Sequence, residues 1–280
     1  MLSFVRPGAH QEFAAEALKL LNDVRSAVKT RGGAPHSDDF TGRELWSGSW
    51  KRDGRHKKAL AGPGVVRAKC AWCERIRDVS RELDVEHYRP KVKVTRWDGD
   101  PALVSDKPPK EVDLGQGYWW LGFSWENYSL ACKACNQEWK RNLFPVGEPR
   151  PACVEGVEAT EQPLLLDPSK PFKISDHFRW TEGATMEGVS LEGHATIITC
   201  GLNRGTLVAE RVKLVTVVKN VLSDLRSGLR RRDTAARNRG IGELALLGSR
   251  GSEFTSMVRW SAERALGHGW DDKPPPARSS

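Results

Sequence analysis

No stretch of this chain approaches the roughly 18 uninterrupted apolar residues that a membrane-spanning helix needs. The segment from Met1 to Pro7 has neither a long apolar core nor a small-residue cleavage site, so export is not expected and the cytoplasm is the expected compartment. Cysteine is scarce, six in 280 residues, too few for the disulfide lattice of a small secreted domain. There is also no internal repeat. What is present is ordinary: 39% hydrophobic and 29% charged residues, enough chain for one large domain or a small catalytic module with helical additions.

The charge is not ordinary. A formal net charge of +8 favours a polyanionic partner. Ten of the basic residues lie between Arg204 and Arg239, opposed there only by Glu210, Asp224 and Asp233. That run fits a solvated helix face and a phosphate-tracking surface equally well.

Hydrophobic spacing predicts helices over 11–29, with Phe13, Ala17, Leu21, Val24 and Val28 on one face, and over 207–225 and 253–266. A short helix is expected within 46–60 and another over 137–143, stopped by Pro145. Residues 88–118, polar and rich in Pro and Gly, read as a loop insertion. The aromatic run 117–123 reads first as core, with nucleic-acid stacking or partner docking as rivals. Short strands are expected at 83–86, 129–132, 163–168, 178–181 and 195–199. The expected organisation is a helical region at 1–60, a catalytic core at 61–150, a mostly helical region at 151–270 and a disordered tail at 271–280.

The most specific feature is two Cys-x-x-Cys pairs, Cys70/Cys73 and Cys132/Cys135. Each pair offers two thiolates from one tight turn, and two such turns complete a tetrahedral zinc site. Four thiolates leave no open position for water, so the expected Zn²⁺ is structural. Cys153 and Cys200 have no spaced partner and read as buried thiols. Between the pairs lies Asp84-Val85-Glu86-His87, which alternates as a half-buried strand does and is closed by Pro90. The second pair runs directly into Asn136. A histidine, a carboxylate and an amide are thereby tied to one zinc clamp, the groups a single-metal nuclease needs.

These residues resemble the HNH (His-Asn-His) endonuclease family: Cys-Ala-Trp-Cys-Glu (70–74), Val-Glu-His-Tyr-Arg-Pro (85–90), Trp-Glu-Asn-Tyr (125–128) and Cys-Lys-Ala-Cys-Asn (132–136), then Lys140. The likeness covers about 67–146. A wider likeness takes in Gly-Tyr-Trp-Trp (117–120), Phe-Pro (144–145), Pro-Leu-Leu-Leu-Asp-Pro (163–168) and Gly-Leu-Asn-Arg (201–204), and points to the HNH subunits of Septu and retron anti-phage defence. The resemblance implies an α+β fold: a zinc-stabilised ββα-metal core with flanking helical regions. It implies DNA hydrolysis, with an ATPase subunit as partner. In its terms His87 is the general base and Asn127 braces the loop bearing it. Glu86 stands where the family usually has a metal-binding aspartate, and Asn136 where a last histidine is common. Asp84, on the same strand face, is the alternative ligand. Two oxygen donors favour Mg²⁺ or Mn²⁺. Arg89 and Lys140 are candidates for phosphate contact or for surface ion pairs. A non-catalytic zinc-ribbon adaptor and an RNase using the same site are the competing readings.

Overall fold

The computed structural model describes residues 3–33, 35–41, 54–148 and 152–267. In chain order the elements are α1 (Phe13–Thr30), α2 (Arg55–Ala61), strands β1 (Arg67–Lys69), β2 (Ile76–Asp78), β3 (Leu83–His87), β4 (Lys93–Trp97), β5 (Glu111–Gln116) and β6 (Tyr128–Cys132), then a wide helical turn, Ala134–Lys140. There follow α3 (Ile174–His177), β7 (Phe178–Trp180), β8 (Met186–Gly188), α4 (Leu191–Thr199), α5 (Gly205–Arg230), α6 (Thr234–Leu247) and α7 (Thr255–Leu266). This mixture of helices and small sheets is consistent with the expected α+β class. The strands pair as four antiparallel ribbons: β1 with β2, β3 with β6, β4 with β5 and β7 with β8. Among the described residues no helix is long and apolar enough to cross a membrane.

The ribbon β3–β6 lies at the centre. Its register sets Leu83 opposite Cys132, Glu86 opposite Ser129 and His87 opposite Tyr128. Strand period places Leu83 and Val85 on one face with Asp84 and Glu86 on the other. Every residue of β6 is buried, because apolar core covers one face and the helical turn the other. That core joins α1, the aromatic run, Leu165 and the β7–β8 ribbon into one cluster. Val218, Val221, Leu222 and Leu225 of α5 form a second cluster with Leu244 and Val258.

Several sequence expectations are corrected. Residues 88–118 are not a structureless loop but carry the ribbon β4–β5, whose alternation is broken by a register shift between Lys93 and Thr95. Residues 195–199 are helical, not extended: Ser190 caps α4 by accepting from the Gly193 amide at 3.0 Å. Residues 195–200 are all buried, and a helix buried all round shows no period to distinguish it from a strand. Residues 163–168 make one bridge, Val146 with Pro163, rather than a strand. The helix expected over 137–143 runs over 134–140 instead, so Asn136 sits inside it. The aromatic run is core: Tyr118, Trp120 and Phe123 are buried. On α1 Leu20 is fully buried and Leu21 only partly. Of the helix expected within 46–60, α2 occupies 55–61; residues 46–53 and the tail 271–280 lie outside the described residues.

Candidate active site

Cys70 and Cys73 sit in the turn joining β1 to β2, Cys132 ends β6 and Cys135 lies in the first turn of the following helix. The backbone draws these elements together. The Ala71 amide donates to Leu130 O at 2.9 Å, and the Cys132 amide donates to Cys70 Sγ at 3.3 Å. Glu74 closes the first turn with a positive φ of 63°, a conformation held by its amide bonding to Cys70 O.

All four sulfurs lie within 4.8 Å of one another, all are buried and none is in a disulfide. Cys73 Sγ and Cys132 Sγ are 3.9 Å apart. Tetrahedral zinc with bonds of about 2.3 Å sets its sulfurs roughly 3.8 Å apart, so these residues fit the ion and could bind it. A tetrathiolate zinc centre carries a net negative charge, and here a buried cation accompanies it. Arg204 donates from Nη2 to Cys135 Sγ at 3.5 Å and from Nη1 to the carbonyls of Cys200 and Gly201. Burial alone would lower the Arg204 pKa, but the sulfurs of Cys135 and Cys73 more than offset it and hold the guanidinium charged.

The rest of the Gly-Leu-Asn-Arg run fixes this arrangement. Gly201 has φ +57° and packs so closely on Trp139 that a Cβ would fall 2.0 Å from the indole. Asn203 accepts from the Met186 amide and donates to the carbonyls of Met186 and Leu103. The start of α5 is thereby fastened to the cysteine cluster.

At the end of β3, Val85, Glu86, His87 and Asn136 line one cleft of about 200 Å³, together with Lys91, Arg141 and Asn142. His87 Nε2 lies 3.1 Å from Gly122 O, and its ring stands edge-on to Tyr128 at 5.1 Å between centroids. If Nε2 carries the proton donated to that carbonyl, Nδ1 is the basic nitrogen. Burial pushes the imidazole pKa well below its ordinary value, and the Lys91 charge adds to the shift, so the ring is neutral at neutral pH.

Asn127 is buried. Its Oδ1 accepts from the Arg89 amide at 2.8 Å, and Nδ2 donates to the carbonyls of Arg89 and Leu121. These bonds tie the chain just beyond β3 to the aromatic run. Glu86 is 2% exposed, with Oε1 2.5 Å from Lys140 Nζ. Burial raises its carboxyl pKa, and the Lys140 charge opposes the rise. Asp84 is half-buried and accepts from Asn136 Nδ2 at 3.2 Å and from Gln137 Nε2 at 2.8 Å. Asn136 is therefore hydrogen-bonded to Asp84 while lining the same cleft as Glu86. Among the described residues only the cysteines close into a ready cluster of metal-ligating side chains.

The two phosphate candidates both lie in ion pairs. Lys140 is fully buried, held by Glu86 and by His87 O at 2.9 Å. Arg89 Nη2 lies 3.2 Å from Glu161 Oε2, and its guanidinium is ringed by Tyr88, Tyr118 and Phe144. A charge taken out of water must be paired, and the carboxylates that pair these two are distant in sequence. The sequence reading missed Lys91 as a cleft residue. Its signal was available: a lysine directly after the His-Tyr-Arg-Pro run. Its ammonium lies 5.1 Å from the Phe40 ring centre. Of the two remaining cysteines, Cys200 is buried and Cys153 only partly so.

Over 153 residues the chain is 32% identical to a known protein, and the match takes in 54% of this chain. It is similar to Septu protein PtuB of Bacillus mycoides (strain KBAB4). The match covers 48% of that relative, so the chain spans about half the length of the curated protein it resembles. No family model matches the chain, and no solved structure matches it.

Proposed function

We propose that this chain is a metal-dependent HNH endonuclease that hydrolyses DNA as the effector of a Septu-type anti-phage defence system. The observation that carries the reading is the shared cleft of Glu86, His87 and Asn136, on a strand–strand–helix unit pinned by four cysteines. Similarity to Septu protein PtuB supports the biological setting. The ATPase partner follows from the family resemblance.

In this reading the neutral His87 removes a proton from the attacking water, its Nε2 side oriented by Gly122 O. Asn127 fixes the backbone beyond His87, so the ring meets the phosphate in one pose. Glu86 and Asn136, or Asp84 in place of Glu86, offer hard oxygen donors suited to Mg²⁺ or Mn²⁺. When bound, such an ion supplies Lewis-acid neutralisation of the phosphate and of the leaving oxygen. Lys140 pairs with the Glu86 carboxylate, and Lys91, which lines the cleft, joins Arg89 as a candidate for phosphate contact.

The test is His87→Ala. Loss of a general base lowers the rate by about 10²–10⁴-fold. Plasmid nicking in Mg²⁺ or Mn²⁺ should fall accordingly while zinc content and the folded state are retained. Full nicking by the variant removes His87 as the base. Binding without any product from the native protein would favour the adaptor reading, and parallel assays on duplex DNA, single strands and RNA fix the substrate.

A further inference from the structure

Beyond the cleft, α5 and α6 form a helical hairpin with an apolar seam of its own, Val218, Val221, Leu222, Leu225 and Leu244 with Val258 of α7. At its tip, between Arg226 and Arg239, the chain holds six arginines, no lysine and a single acid, Asp233. The six are Arg226, Arg230, Arg231, Arg232, Arg237 and Arg239, and all are exposed. Asp233 is occupied as the cap of α6, its Oδ1 accepting from the Ala236 amide at 2.9 Å. Arg226 donates to Ala265 O and Arg230 to Ser227 Oγ, neither of them a carboxylate.

A merely solvated helix face places acids among its bases at i+4, which gains both solubility and helix stability. On α5 the tip does the reverse, while α6 carries one acid, Glu243, four residues past Arg239. Arg226 and Arg230 are a like-charged i, i+4 pair, and Arg230 to Arg232 are consecutive. Lys219, Arg226 and Arg230 fall at spacings of seven and four, so they form one stripe along α5. Exclusive use of arginine adds a planar, bidentate fork suited to phosphate. The apolar seam keeps the hairpin folded despite the repulsion.

Position gives the tip its meaning. α5 begins beside Arg204, which touches Cys135, and runs 26 residues. At about 1.5 Å per residue its far end stands up to roughly 39 Å from the cysteine cluster. That span is about eleven base pairs of B-form duplex.

We propose that the arginine tip is a second nucleic-acid contact, which grips duplex phosphates away from the cleft, about one helical turn from the cysteine cluster, without regard to sequence. This rests on the nuclease reading for its substrate, but its test does not need cleavage. Binding of a labelled duplex of about 30 base pairs is measured by anisotropy from about 50 to 300 mM salt, with no added Mg²⁺. Three proteins are compared: the native chain, a quadruple variant (Arg230→Gln, Arg231→Gln, Arg237→Gln, Arg239→Gln) and the matching quadruple Arg→Lys variant. Neutralising four phosphate contacts should flatten the log–log salt slope by about 3 to 4 and weaken binding near 150 mM salt by roughly 10²-fold. The lysine variant should keep most of the slope, and neither variant should melt below the native chain. A glutamine variant that binds like the native chain overturns the proposal, as does a native chain that binds no duplex. Native binding with the expected glutamine deficit, but no cleavage when Mg²⁺ or Mn²⁺ is added, sinks the nuclease reading and leaves the tip standing.

Discussion

Lys140→Met is a sharp test of how the candidate site is built. Lys140 is fully buried and Glu86 is 2% exposed, with 2.5 Å between their charged atoms. Removing the lysine leaves a carboxylate in an apolar setting without its counter-ion, which costs about 3–5 kcal/mol. At about 2–4 °C per kcal/mol for a chain somewhat smaller than this one, the melting temperature should fall by roughly 6–20 °C. The loss must depend on pH. Burial already raises the Glu86 pKa, and without Lys140 it rises further. A raised folded-state pKa contributes stability that is complete below the unfolded value and lost as pH rises through the folded one. The deficit should therefore be small near about pH 4 and complete near about pH 8. Adding Glu86→Gln to Lys140→Met should recover part of it, because the buried charge is then gone. The assay is urea unfolding of native, single and double variants across that range. A single-variant loss under about 1 kcal/mol at pH 8 would mean a solvent-screened pair and would refute the reasoning.

Two further outcomes are expected. The native protein should carry about one zinc per chain, as structural sites of this ligand set do, and Cys135→Ser should abolish it with a large drop in melting temperature; elemental analysis showing no zinc in the native protein would remove the clamp. His56 is buried against Glu16, and burial lowers its pKa despite that partner. The unfolded chain therefore binds a proton that the folded one refuses, and stability falls as pH drops below 6.5 by up to about 1.4 kcal/mol per pH unit. His56→Gln should flatten that slope in urea titrations between about pH 6.5 and 5, and an unchanged slope would rule His56 out.

The sequence by itself determined what depends on local spacing. Two Cys-x-x-Cys turns specify where four sulfurs can meet, since each pair is set by one short turn of backbone. Alternation in Leu83–His87 and three- and four-residue spacing in α1 and α5 fixed those elements, because half-buried faces leave a period to read. The period vanished where burial was complete, and so α4 read as a strand. Only the tertiary structure decided which charges face inward. Lys140 meets Glu86 across 54 positions and Arg89 meets Glu161 across 72, and no local pattern encodes a pairing over such distances. The same holds for Arg204, which meets Cys135 across 69 positions. A side chain's type is written in the chain, but whether its charge faces water or a buried partner is settled only when distant segments close around it.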